Sequence, residues 1–566
     1  MSVTLGISNT HNGSVAIIRD GVVLAAIQAE RISRIKRQSL PLEGGSSVAR
    51  DCVKYCLNEA KISYSSIKAI ALCTPWEVTK IDENRLFNFI GGEPKNYSGT
   101  FYIPHHLSHA EYIVHYGRKK PGLVLVVDGS GSLEIDRRHF NVEERVHCGA
   151  QKHVHFAGKE VVSAYMFDGN HNHLIYRFSP SISEIDDYNR GTSGLLQSIG
   201  HYWEWASLYC CGTRNDAGKV MGLAAFGNTK NVRVGKFLYL ENEWNIRVDY
   251  LKLQQEFQQP NIKREDLSNL QHYADIALQV QLDTEKVILE LVRKLNLSFP
   301  SDTFYMTGGV GLNVVVNEKI IRSRLFKDVV LNGSVEDNGS AIGAGLLVSN
   351  CLTNTRKFSP ITDYYGQTYS DEDCVIAAKQ FKYSYQVLAW KEIIELASDL
   401  IASEKIIGWF QGRSEFGPRA LGNRSILANP AAKSTKYLLD NLMKCRDRYR
   451  PYAPVVIEEE ADHFFDIEEP SPVMMRNVPV KDESLIAIMH ADNCARVQTI
   501  KKEENARLHE LLLGVKKKTG YPVLLNTSFN LPGEPIVESP NDALISFSNG
   551  ALDALFLHNV FIDRNI

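Results

Sequence analysis

The stretch "VTLGISNTHNGSVAIIRDGVVLAAIQAE", residues 3–30, decides the fold. It contains three apolar segments separated by two turns, and these turns contain an Asn-Gly and an Asp-Gly pair. Such pairs are strong signals of β-hairpins, so the stretch predicts three consecutive antiparallel strands. A second apolar segment, "GLVLVVDGSGS" at residues 122–132, again ends in a polar turn with glycines. This weak self-similarity predicts two related lobes.

The remainder of the first half alternates between helical and strand patterns. Residues 273–295 have the periodicity of a long amphipathic helix, and residues 302–320 and 329–347 each indicate a strand, a glycine turn and a helix. Two hairpin-bearing lobes with a cleft between them are typical of actin-like ATPases, in which the N–H groups of turns hold phosphates. Most glycine turns only reverse the chain, so the glycines alone do not establish nucleotide binding.

A polar, Pro- and Gly-containing stretch predicts a linker at residues 356–372, which separates a domain at 1–355 from one at 373–566. The second domain again alternates helices and strands, which indicates a second α/β fold. Its last segment, "ALFLHNVFI" at 554–562, is predicted as a single strand. The predicted fold class is therefore α/β in both domains.

Composition excludes several classes of protein. The chain has 566 residues, of which 44% are hydrophobic and 23% charged, and its net charge of −3 gives no support for nucleic-acid binding. No run reaches the roughly 18 apolar residues of a membrane span, and the N-terminus lacks the features of a signal peptide. The ten cysteines form no CxxC pair. We therefore expect free thiols and a cytoplasmic location.

The segment "FQGRSEFGPRALGNRSILANP" at residues 410–430 opens a basic region. From Arg413 to Arg450 the chain has nine Lys or Arg against three Asp or Glu, much of it beside Gly and Pro. We expect a site for a polyanion, because arginine's planar fork suits phosphate and lysine adds a compact charge. A solvated basic surface is the alternative. The residues that can converge are Arg413, Arg419, Arg424, Lys444 and Arg450.

Polar side chains also follow an apolar strand in "LLNTSFNLPGEPIV" at residues 524–537. Asn526, Thr527, Ser528 and Asn530 fit the carboxyl end of a strand, where ligands bind in open α/β sheets. Ordinary turn chemistry explains the same residues, and both readings stay open.

In "YIPHHLSHAEYIVHYG", residues 102–117, His105 and His109 lie four apart and so share one face of a helix. The pair suits a metal ion, although most such pairs are structural. No general base accompanies it, since His106 stands where zinc proteases have Glu. Asp128 ends a predicted buried strand and Asp337 lies in a glycine turn, and buried carboxylates need partners or a metal.

Nine motifs occur in one order along the chain, and they resemble those of the ATP-dependent O-carbamoyltransferases of nodulation-factor, tobramycin and cephamycin biosynthesis. They are "PHHLSHA", "VVDGSG", "DAGKVMGLAAFG", "TGGVGLN", "EDNGSAIGAG", "FQGRSEFGPRALGNRSILANP", "YRPYAPVV", "ARVQT" and "LNTSFNLPGEPIV". The resemblance implies an actin-like N-terminal domain and a YrdC-like C-terminal domain. It also implies that the C-terminal domain makes carbamoyl-AMP from ATP, with Mg²⁺, and carbamoyl phosphate. The N-terminal domain then transfers the carbamoyl group to a hydroxyl.

The resemblance assigns roles to individual residues. It implies catalytic roles for His11, Lys444, Arg419 and Arg424. The implied contacts to ATP and carbamoyl phosphate are Arg413, Asn423, Arg450, Arg496, Asn526, Ser528 and Asn530. The implied nucleotide contacts in the N-terminal domain are Lys219, Gly308, Gly309 and Asn313. The implied metal ligands are His105, His109, Asp128 and Asp337, with His106 and His115 outside the set. The family's metal is Fe(II), and zinc or manganese also suits these ligands.

Two assignments stay open at this stage. His11 lies in the first hairpin turn, where the family has a histidine proposed as general base, but Asn12 follows it where the family usually has Asp. A simple hydrogen-bonding role in the turn is the alternative for His11. Arg34 and Lys36 either reach the cleft or form a basic helix end.

The acceptor is expected to be a hydroxyl of a small molecule or sugar. Residues 138–215 are the least regular part of the first domain and are expected to shape the acceptor pocket. Trp203 and Trp205 serve there either as sugar-stacking surfaces or as core. We expect no nucleic-acid or membrane partner, and a monomer or homodimer. The competing readings are a tRNA threonylcarbamoyl transferase, an actin-like sugar kinase and a non-catalytic nucleotide-binding regulator.

Overall fold

The structure is a computed structural model that describes residues 2–40, 47–73, 83–117, 120–132, 158–180, 197–257, 270–353, 362–444 and 449–564. The chain divides into two units. Unit 1 comprises Met1–Ala25 and Ser39–Ile361, and unit 2 comprises Ala26–Gln38 and Thr362–Ile566. The division falls inside the predicted linker, of which residues 356–361 lie outside the described part. The limits of the predicted domains stay predictions.

The first sheet of unit 1 contains the stretch quoted above. Its strands are β1 (Val3–Ser8), β2 (Ser14–Arg19), β3 (Val22–Gln28), β4 (Ile67–Cys73) and β5 (Gly99–Ile103). The spatial order is β3-β2-β1-β4-β5. β1 pairs antiparallel with β2 across the first turn and parallel with β4, and β5 continues the parallel side. The predicted hairpins are therefore present.

The second sheet of unit 1 repeats this plan. Its strands are β6 (Gly122–Val127), β7 (Val162–Phe167), β8 (Asn172–Phe178), β11 (Thr303–Thr307) and β12 (Asp328–Val330). The order is β12-β11-β6-β7-β8, with β6, β7 and β8 antiparallel and β6, β11 and β12 parallel. Both sheets thus place a hairpin on one side of their first strand and parallel strands on the other, as the self-similarity indicates. A separate small ribbon contains β9 (Leu238–Glu241) and β10 (Asn245–Val248).

Helices cover these sheets. They are α2 (Ser47–Ala60), α3 (Glu83–Ile90), α4 (His105–Tyr116), α5 (Ile199–Cys211), α6 (Ala217–Ala224), α7 (Tyr250–Glu256), α8 (Leu270–Ser298), α9 (Val314–Arg322) and α10 (Asn338–Thr353). α4 and α10 pack closely, since a Cβ added at Gly343 of α10 would lie 1.9 Å from the backbone oxygen of Ser108 in α4. This crossing places the histidine pair beside the beginning of α10.

Unit 2 is built on one nine-stranded mixed sheet. Its strands are β13 (Gln386–Val387), β14 (Ile407–Phe410), β15 (Arg424–Ala428), β16 (Ala453–Ile457), β17 (Arg476–Pro479), β18 (Cys494–Ile500), β19 (Val523–Ser528), β20 (Ala554–Leu557) and β21 (Val560–Asp563). The order is β13-β21-β20-β14-β15-β19-β16-β18-β17. Its helices are α1 (Ala29–Ser33), α11 (Asp371–Gln380), α12 (Trp390–Ala402), α13 (Lys433–Leu438), α14 (Ala461–Phe464), α15 (Ala506–Thr519) and α16 (Pro540–Asn549). Mixed α/β structure in both units confirms the predicted class.

Two details differ from the sequence-based expectations. The segment predicted as one final strand is the hairpin β20–β21, which turns at His558 with a positive φ of 51°. The short segment Ala26–Gln38 belongs to unit 2 although its neighbours in sequence belong to unit 1. In the part of the chain that the structure describes, no helix is long and apolar enough to cross a membrane.

Candidate active site

Three separate elements of unit 1 bring together a buried group of two histidines and two aspartates. His105 and His109 lie one turn apart on α4, which begins at His105 directly after Pro104. Asp128 follows β6, and Asp337 immediately precedes α10. All four side chains are buried, and one ligand atom from each lies within 4.8 Å of the others. The group of residues predicted as metal ligands is therefore assembled in the structure.

The distances within this group are short. His105 Nε2 lies 3.0 Å from Asp128 Oδ2 and 3.3 Å from Asp337 Oδ1. His109 Nε2 lies 3.6 Å and 3.8 Å from the same two oxygens, and the two Nε2 atoms are 3.2 Å apart. Two imidazole nitrogens and two carboxylate oxygens thus face one another, which is a donor set that suits iron, manganese or zinc.

Neighbouring groups orient His105 and Asp128, which are two of the four candidate metal ligands. Cys73 Sγ lies 3.4 Å from His105 Nδ1, which directs Nε2 of that imidazole toward the carboxylates. Asp128 Oδ1 accepts hydrogen bonds from the backbone N–H groups of Gly129 at 2.8 Å and Gly309 at 3.4 Å. Because these bonds occupy Oδ1, the other oxygen of Asp128 faces the histidines. The donor set and its supporting contacts fit a divalent metal ion.

Electrostatics in this group follow from burial and opposite charge. Burial alone raises the pKa of Asp337, but His11 and His105 hold it well below its usual range. Burial lowers the pKa of His105, but Asp337, Cys73 and Asp128 together outweigh this effect and hold the pKa well above its ordinary value. Burial also raises the pKa of Asp128, but hydrogen bonds with His105 and His109 hold it below its ordinary value, so both carboxylates are ionised and able to act as ligands.

His11 joins the group through the outer oxygen of Asp337. Its Nδ1 lies 3.0 Å from Asp337 Oδ2, while 59% of the side chain remains exposed. The negative charge of Asp337 raises the pKa of His11 to about 9. The adjacent Asn12 is buried and donates from Nδ2 to Glu336 Oε2 at 3.0 Å. The turns at residues 11–12 and 336–337 are thus joined by two side-chain contacts.

The four residues predicted to contact nucleotide in unit 1 have different surroundings. Gly308 has a positive φ of 87° and directly follows β11, and Gly309 contacts Asp128 through its N–H group. Asn313 accepts from the N–H of Val316 at the beginning of α9 and exchanges amide hydrogen bonds with Gln281. Lys219 pairs with Asp216 at 3.0 Å. The two glycines therefore lie beside the buried group of His105, His109, Asp128 and Asp337, called the metal group below for its proposed role. Nucleotide contact by all four predicted residues stays a prediction.

In unit 2 the structure brings together Lys444, Ser528 and Asn530. Lys444 is buried, and its Nζ donates to the backbone oxygens of Ser528 at 2.6 Å and Asn530 at 2.8 Å, and to Asn530 Oδ1 at 2.7 Å. Ser528 Oγ donates to the same Oδ1. Nearby along β19, Asn526 donates to Gln498 Oε1 at 2.8 Å and to the backbone oxygen of Ala420 at 3.2 Å. The NTSFN segment and the basic segment therefore meet.

Glu415 organises the glycine-rich part of the basic segment. This buried carboxylate accepts through Oε1 from the N–H groups of Leu421 at 2.7 Å, Asn423 at 2.8 Å and Arg424 at 3.2 Å. These backbone donors are occupied by a side chain of the same loop. A polyanion at this loop is therefore not held by these three N–H groups.

The basic side chains themselves differ in environment. Arg424 is fully buried, donates to the backbone oxygens of Gln411, Gly412 and Asn423, and lies 3.6 Å from the centre of the Phe410 ring. Arg413 Nε donates to the backbone oxygen of Gly366, and the backbone oxygen of Arg413 accepts from Asn423 Nδ2. Arg419, Arg450 and Arg496 are half-buried. These contacts hold the guanidinium group of Arg424 in place, and contact of the five arginines with phosphate stays a prediction.

Comparison with known proteins decides the family. Residues 3–346 match a model described as "Carbamoyltransferase N-terminus", and residues 398–564 match one described as "Carbamoyltransferase C-terminus". The chain belongs to the carbamoyltransferase family. The resemblance inferred from the motifs is thereby confirmed.

Relatives of this carbamoyltransferase include nodulation protein NolNO of Sinorhizobium fredii, which is 29% identical over 99% of this chain and 80% of its own. The 3'-hydroxymethylcephem-O-carbamoyltransferase of Streptomyces clavuligerus is 31% identical over 58% of this chain and 61% of its own. A crystal structure of full-length HypF in the phosphate- and nucleotide-bound form covers 63% of this chain and 56% of its own, with 10% identity and a TM-score of 0.39. Similarity this low supports no conclusion.

Several open alternatives in the carbamoyltransferase are resolved by contacts. His106 bonds with Ser163 Oγ and His115 with the Glu111 oxygen, so both lie outside the metal group as expected. Arg34 donates to the backbone oxygens of Pro535 and Ile536, which makes it a helix end bound to unit 2. Trp203 and Trp205 are buried, so both belong to the core. Of the predicted acceptor segment, residues 138–157 and 181–196 lie outside the described residues.

Sequence analysis missed Cys73, Glu336 and Glu415. Cys73 contacts a metal ligand, Glu336 holds the neighbour of His11, and Glu415 shapes the basic loop. A buried carboxylate next to glycines was a usable signal for Glu415, whereas the partners of Cys73 and Glu336 are too distant in sequence for any local pattern.

Proposed function

We propose that this carbamoyltransferase is an ATP-dependent O-carbamoyltransferase that acts on a hydroxyl of a small molecule or sugar. Unit 2 forms carbamoyl-AMP from ATP and carbamoyl phosphate, and unit 1 transfers the carbamoyl group. The observation that carries the proposal is the contact of exposed His11 with Asp337, which also faces His105 and His109. An actin-like fold for unit 1 and a YrdC-like fold for unit 2 are part of the proposal.

The atom balance defines the first reaction. Carbamoyl-AMP holds a single phosphate between the carbamoyl carbon and the adenosine, so the phosphate of carbamoyl phosphate must leave as inorganic phosphate. One water is consumed as that bond breaks, and the resulting carbamate oxygen attacks the α-phosphorus of ATP. Pyrophosphate is the leaving group. Lys444, Arg419 and Arg424 are proposed to stabilise the negative charge that develops in this step.

Contacts around Lys444 support its part in this step. Its ammonium group is held by three oxygens from Ser528 and Asn530 at the end of β19. These oxygens use the three N–H donors of the ammonium group, so Lys444 is expected to act on the anion through its fixed positive charge rather than through a hydrogen bond. We assign Arg413, Asn423, Arg450, Arg496, Asn526, Ser528 and Asn530 to the same pocket for ATP and carbamoyl phosphate.

His11 is the proposed general base of the transfer step. Its Nδ1 donates to Asp337, which leaves Nε2 to accept the proton of the acceptor hydroxyl. The hydroxyl oxygen attacks the carbamoyl carbon, the bond from this carbon to the AMP oxygen breaks, and AMP leaves. Asp337 thus supplies the orientation that the family's usual Asp after the histidine was expected to supply. Gly308, Gly309, Lys219 and Asn313 are proposed to bind the nucleotide.

His105, His109, Asp128 and Asp337 would hold the metal, proposed to be Fe(II). Such a cation supplies positive charge for phosphate and carbamoyl oxygens and offsets the carboxylate charge that raises the pKa of His11. The free cysteines of the described residues agree with the proposed cytoplasmic location. The enzyme is proposed to act as a monomer or homodimer, without nucleic acid.

An assay of pyrophosphate release tests the proposal. We expect release from ATP only when carbamoyl phosphate is present, together with inorganic phosphate. His11→Ala should retain this release but lose transfer, whereas Lys444→Ala should lose both. Transfer is followed by mass spectrometry of a panel of alcohols, as the gain of one carbamoyl group.

Lys433→Ala is the matched control, because Lys433 is an exposed lysine of the same basic region. It should behave like the wild type. Pyrophosphate release without carbamoyl phosphate would contradict the proposal and favour a kinase or regulator. Transfer to tRNA instead of any alcohol would favour a threonylcarbamoyl transferase.

A further inference from the structure

A second group of metal-binding side chains lies at the tip of the hairpin formed by β7 and β8. Asp168, His171 and His173 each offer a ligand atom, and these atoms lie within 4.8 Å of one another. The group contains two imidazoles in addition to a carboxylate, so its composition differs from that of an ordinary acidic surface. None of these residues takes part in the proposed carbamoyl transfer.

The hairpin turn sets the orientation of the carboxylate. Asp168 Oδ1 accepts from the N–H groups of Asn170 and His171, both at 2.7 Å, and Gly169 takes the positive φ of 100° that this turn requires. With Oδ1 occupied, Oδ2 faces His173 Nε2 at 2.8 Å. The carboxylate is therefore aimed at an imidazole before any ligand binds.

The beginning of β8 fixes the position of the backbone that carries the two histidines. Asn172 lies between them and is buried, and its Nδ2 donates to Glu111 Oε1 of α4 at 2.9 Å. His171 directly precedes β8 and His173 lies within it, and one ligand atom of each histidine lies within 4.8 Å of the other. Their ring centres are 6.2 Å apart. The bond to α4 also fixes the hairpin tip to a helix, which reduces the entropy lost when a ligand binds.

We infer that Asp168, His171 and His173 form a surface site for a divalent transition metal ion such as Zn²⁺. Two nitrogen donors and one oxygen donor match the preferences of zinc, nickel and copper rather than those of calcium or magnesium. Three protein ligands leave the remaining positions of the ion to water. The carboxylate is already ionised, since His173 and two backbone N–H groups lower its pKa to about 2 against the effect of burial. The inference is independent of the proposed function.

Equilibrium dialysis of the metal-free full-length protein against Zn²⁺, followed by elemental analysis, tests the site. The wild type should bind about two equivalents, one at each group of ligands. His171→Ala/His173→Ala should lose one of them, and this variant should fold because His171 is exposed and His173 is only half-buried. His463→Ala removes another exposed histidine and is the matched control, which should keep both equivalents.

Asp168→Asn separates the site from the turn. The amide oxygen still accepts from the turn N–H groups, while the loss of charge should weaken zinc binding by roughly 10- to 100-fold. His105→Ala/His109→Ala should retain the equivalent at the hairpin. Unchanged zinc content and affinity in His171→Ala/His173→Ala would overturn the inference, and so would the loss of all zinc from the His105/His109 variant.

Discussion

At the scale of single residues, the contacts of His11 and Asn12 explain a departure from the family pattern. Asp337 orients His11, and Asn12 donates to Glu336, which directly precedes Asp337 in the chain. An aspartate at position 12 would place its carboxylate about where the Asn12 amide now meets Glu336. Asparagine at position 12 therefore avoids the repulsion that a second carboxylate would meet at Glu336. The turn at residues 11–12 and the turn at residues 336–337 therefore require side chains of complementary charge.

The first prediction concerns this complementarity. Asn12→Asp should slow carbamoyl transfer about tenfold or more. Two carboxylates about 4 Å apart repel by several kcal/mol at an effective dielectric constant of about 20. A rise of about 1.4 kcal/mol in the activation free energy already lowers the rate tenfold. Adding Glu336→Gln should restore most of the rate, since the amide removes the second charge. The rate of carbamoylation measured for the four members of this cycle checks the prediction.

Pyrophosphate release by unit 2 is the internal control for this cycle and should not change in any member. A double variant as slow as Asn12→Asp alone would show that repulsion from Glu336 is not the cause. Failure of the wild type to carbamoylate any alcohol would instead count against the proposed function.

At the scale of elements, the crossing of α4 and α10 positions the proposed metal ligands. α4 carries His105 and His109, and Asp337 lies directly before α10. The two helices approach at Gly343, where an added Cβ would lie 1.9 Å from the Ser108 oxygen. That oxygen is backbone and cannot move aside without shifting α4, so the absence of a side chain at this position is a condition for assembling the site.

The second prediction follows from this crossing. Gly343→Ala should lower the free energy of unfolding by about 1–3 kcal/mol or more, as overpacking does, and should reduce bound metal at the buried group. Urea unfolding and elemental analysis check both effects. Gly218→Ala in α6 is the control, since an added Cβ there meets nothing within 4 Å. Its stability should be unchanged or higher by up to about 1 kcal/mol because alanine favours helices. Equal stability of the two variants would contradict the prediction.

At the scale of the whole molecule, the segment Ala26–Gln38 completes unit 2 although it is separated from the rest of that unit by more than three hundred residues. Arg31 is fully buried and donates to the Gly417 oxygen at 2.8 Å. Arg34 donates to the oxygens of Ile536 at 2.7 Å and Pro535 at 2.9 Å. Both contacts reach loops of the proposed adenylate-forming unit, next to the basic segment and the NTSFN segment.

The third prediction tests this arrangement. A fragment of residues 362–566 should unfold at a lower temperature than unit 2 does in the full chain, because buried backbone oxygens lose their donors. A synthetic peptide of residues 26–38 should raise the unfolding temperature of the fragment in a concentration-dependent manner. A peptide with Arg31→Ala and Arg34→Ala is the control and should have no effect. Equal stabilisation by both peptides would show that the arginine contacts are not responsible.

The limits of prediction from sequence are visible in particular elements. The first hairpin was predictable because Asn-Gly and Asp-Gly pairs act locally, and the long helix α8 because a helical periodicity covers residues 273–295 of its 29 residues. The hairpin β20–β21 was missed because its turn contains His and Asn, with no glycine, inside a continuous apolar run. The repeated sheet plan was indicated only weakly, since strand pairing between distant segments leaves no local signal.

The sequence by itself determined the α/β class, the two hairpins, the family and the four residues that the structure brings together as candidate metal ligands. These features depend on local periodicity, on turn chemistry and on motifs that can be recognised from their residue types alone. Only the tertiary structure decided that Asp337 orients His11, that Glu336 holds Asn12, that Glu415 occupies the basic loop and that Arg31 and Arg34 belong to unit 2. Each of these is a hydrogen bond or ion pair made by side chains, and most join segments far apart in the chain. The partners in such contacts are chosen by how the packed sheets and helices place them, and by the need to satisfy buried polar groups, rather than by neighbouring residues.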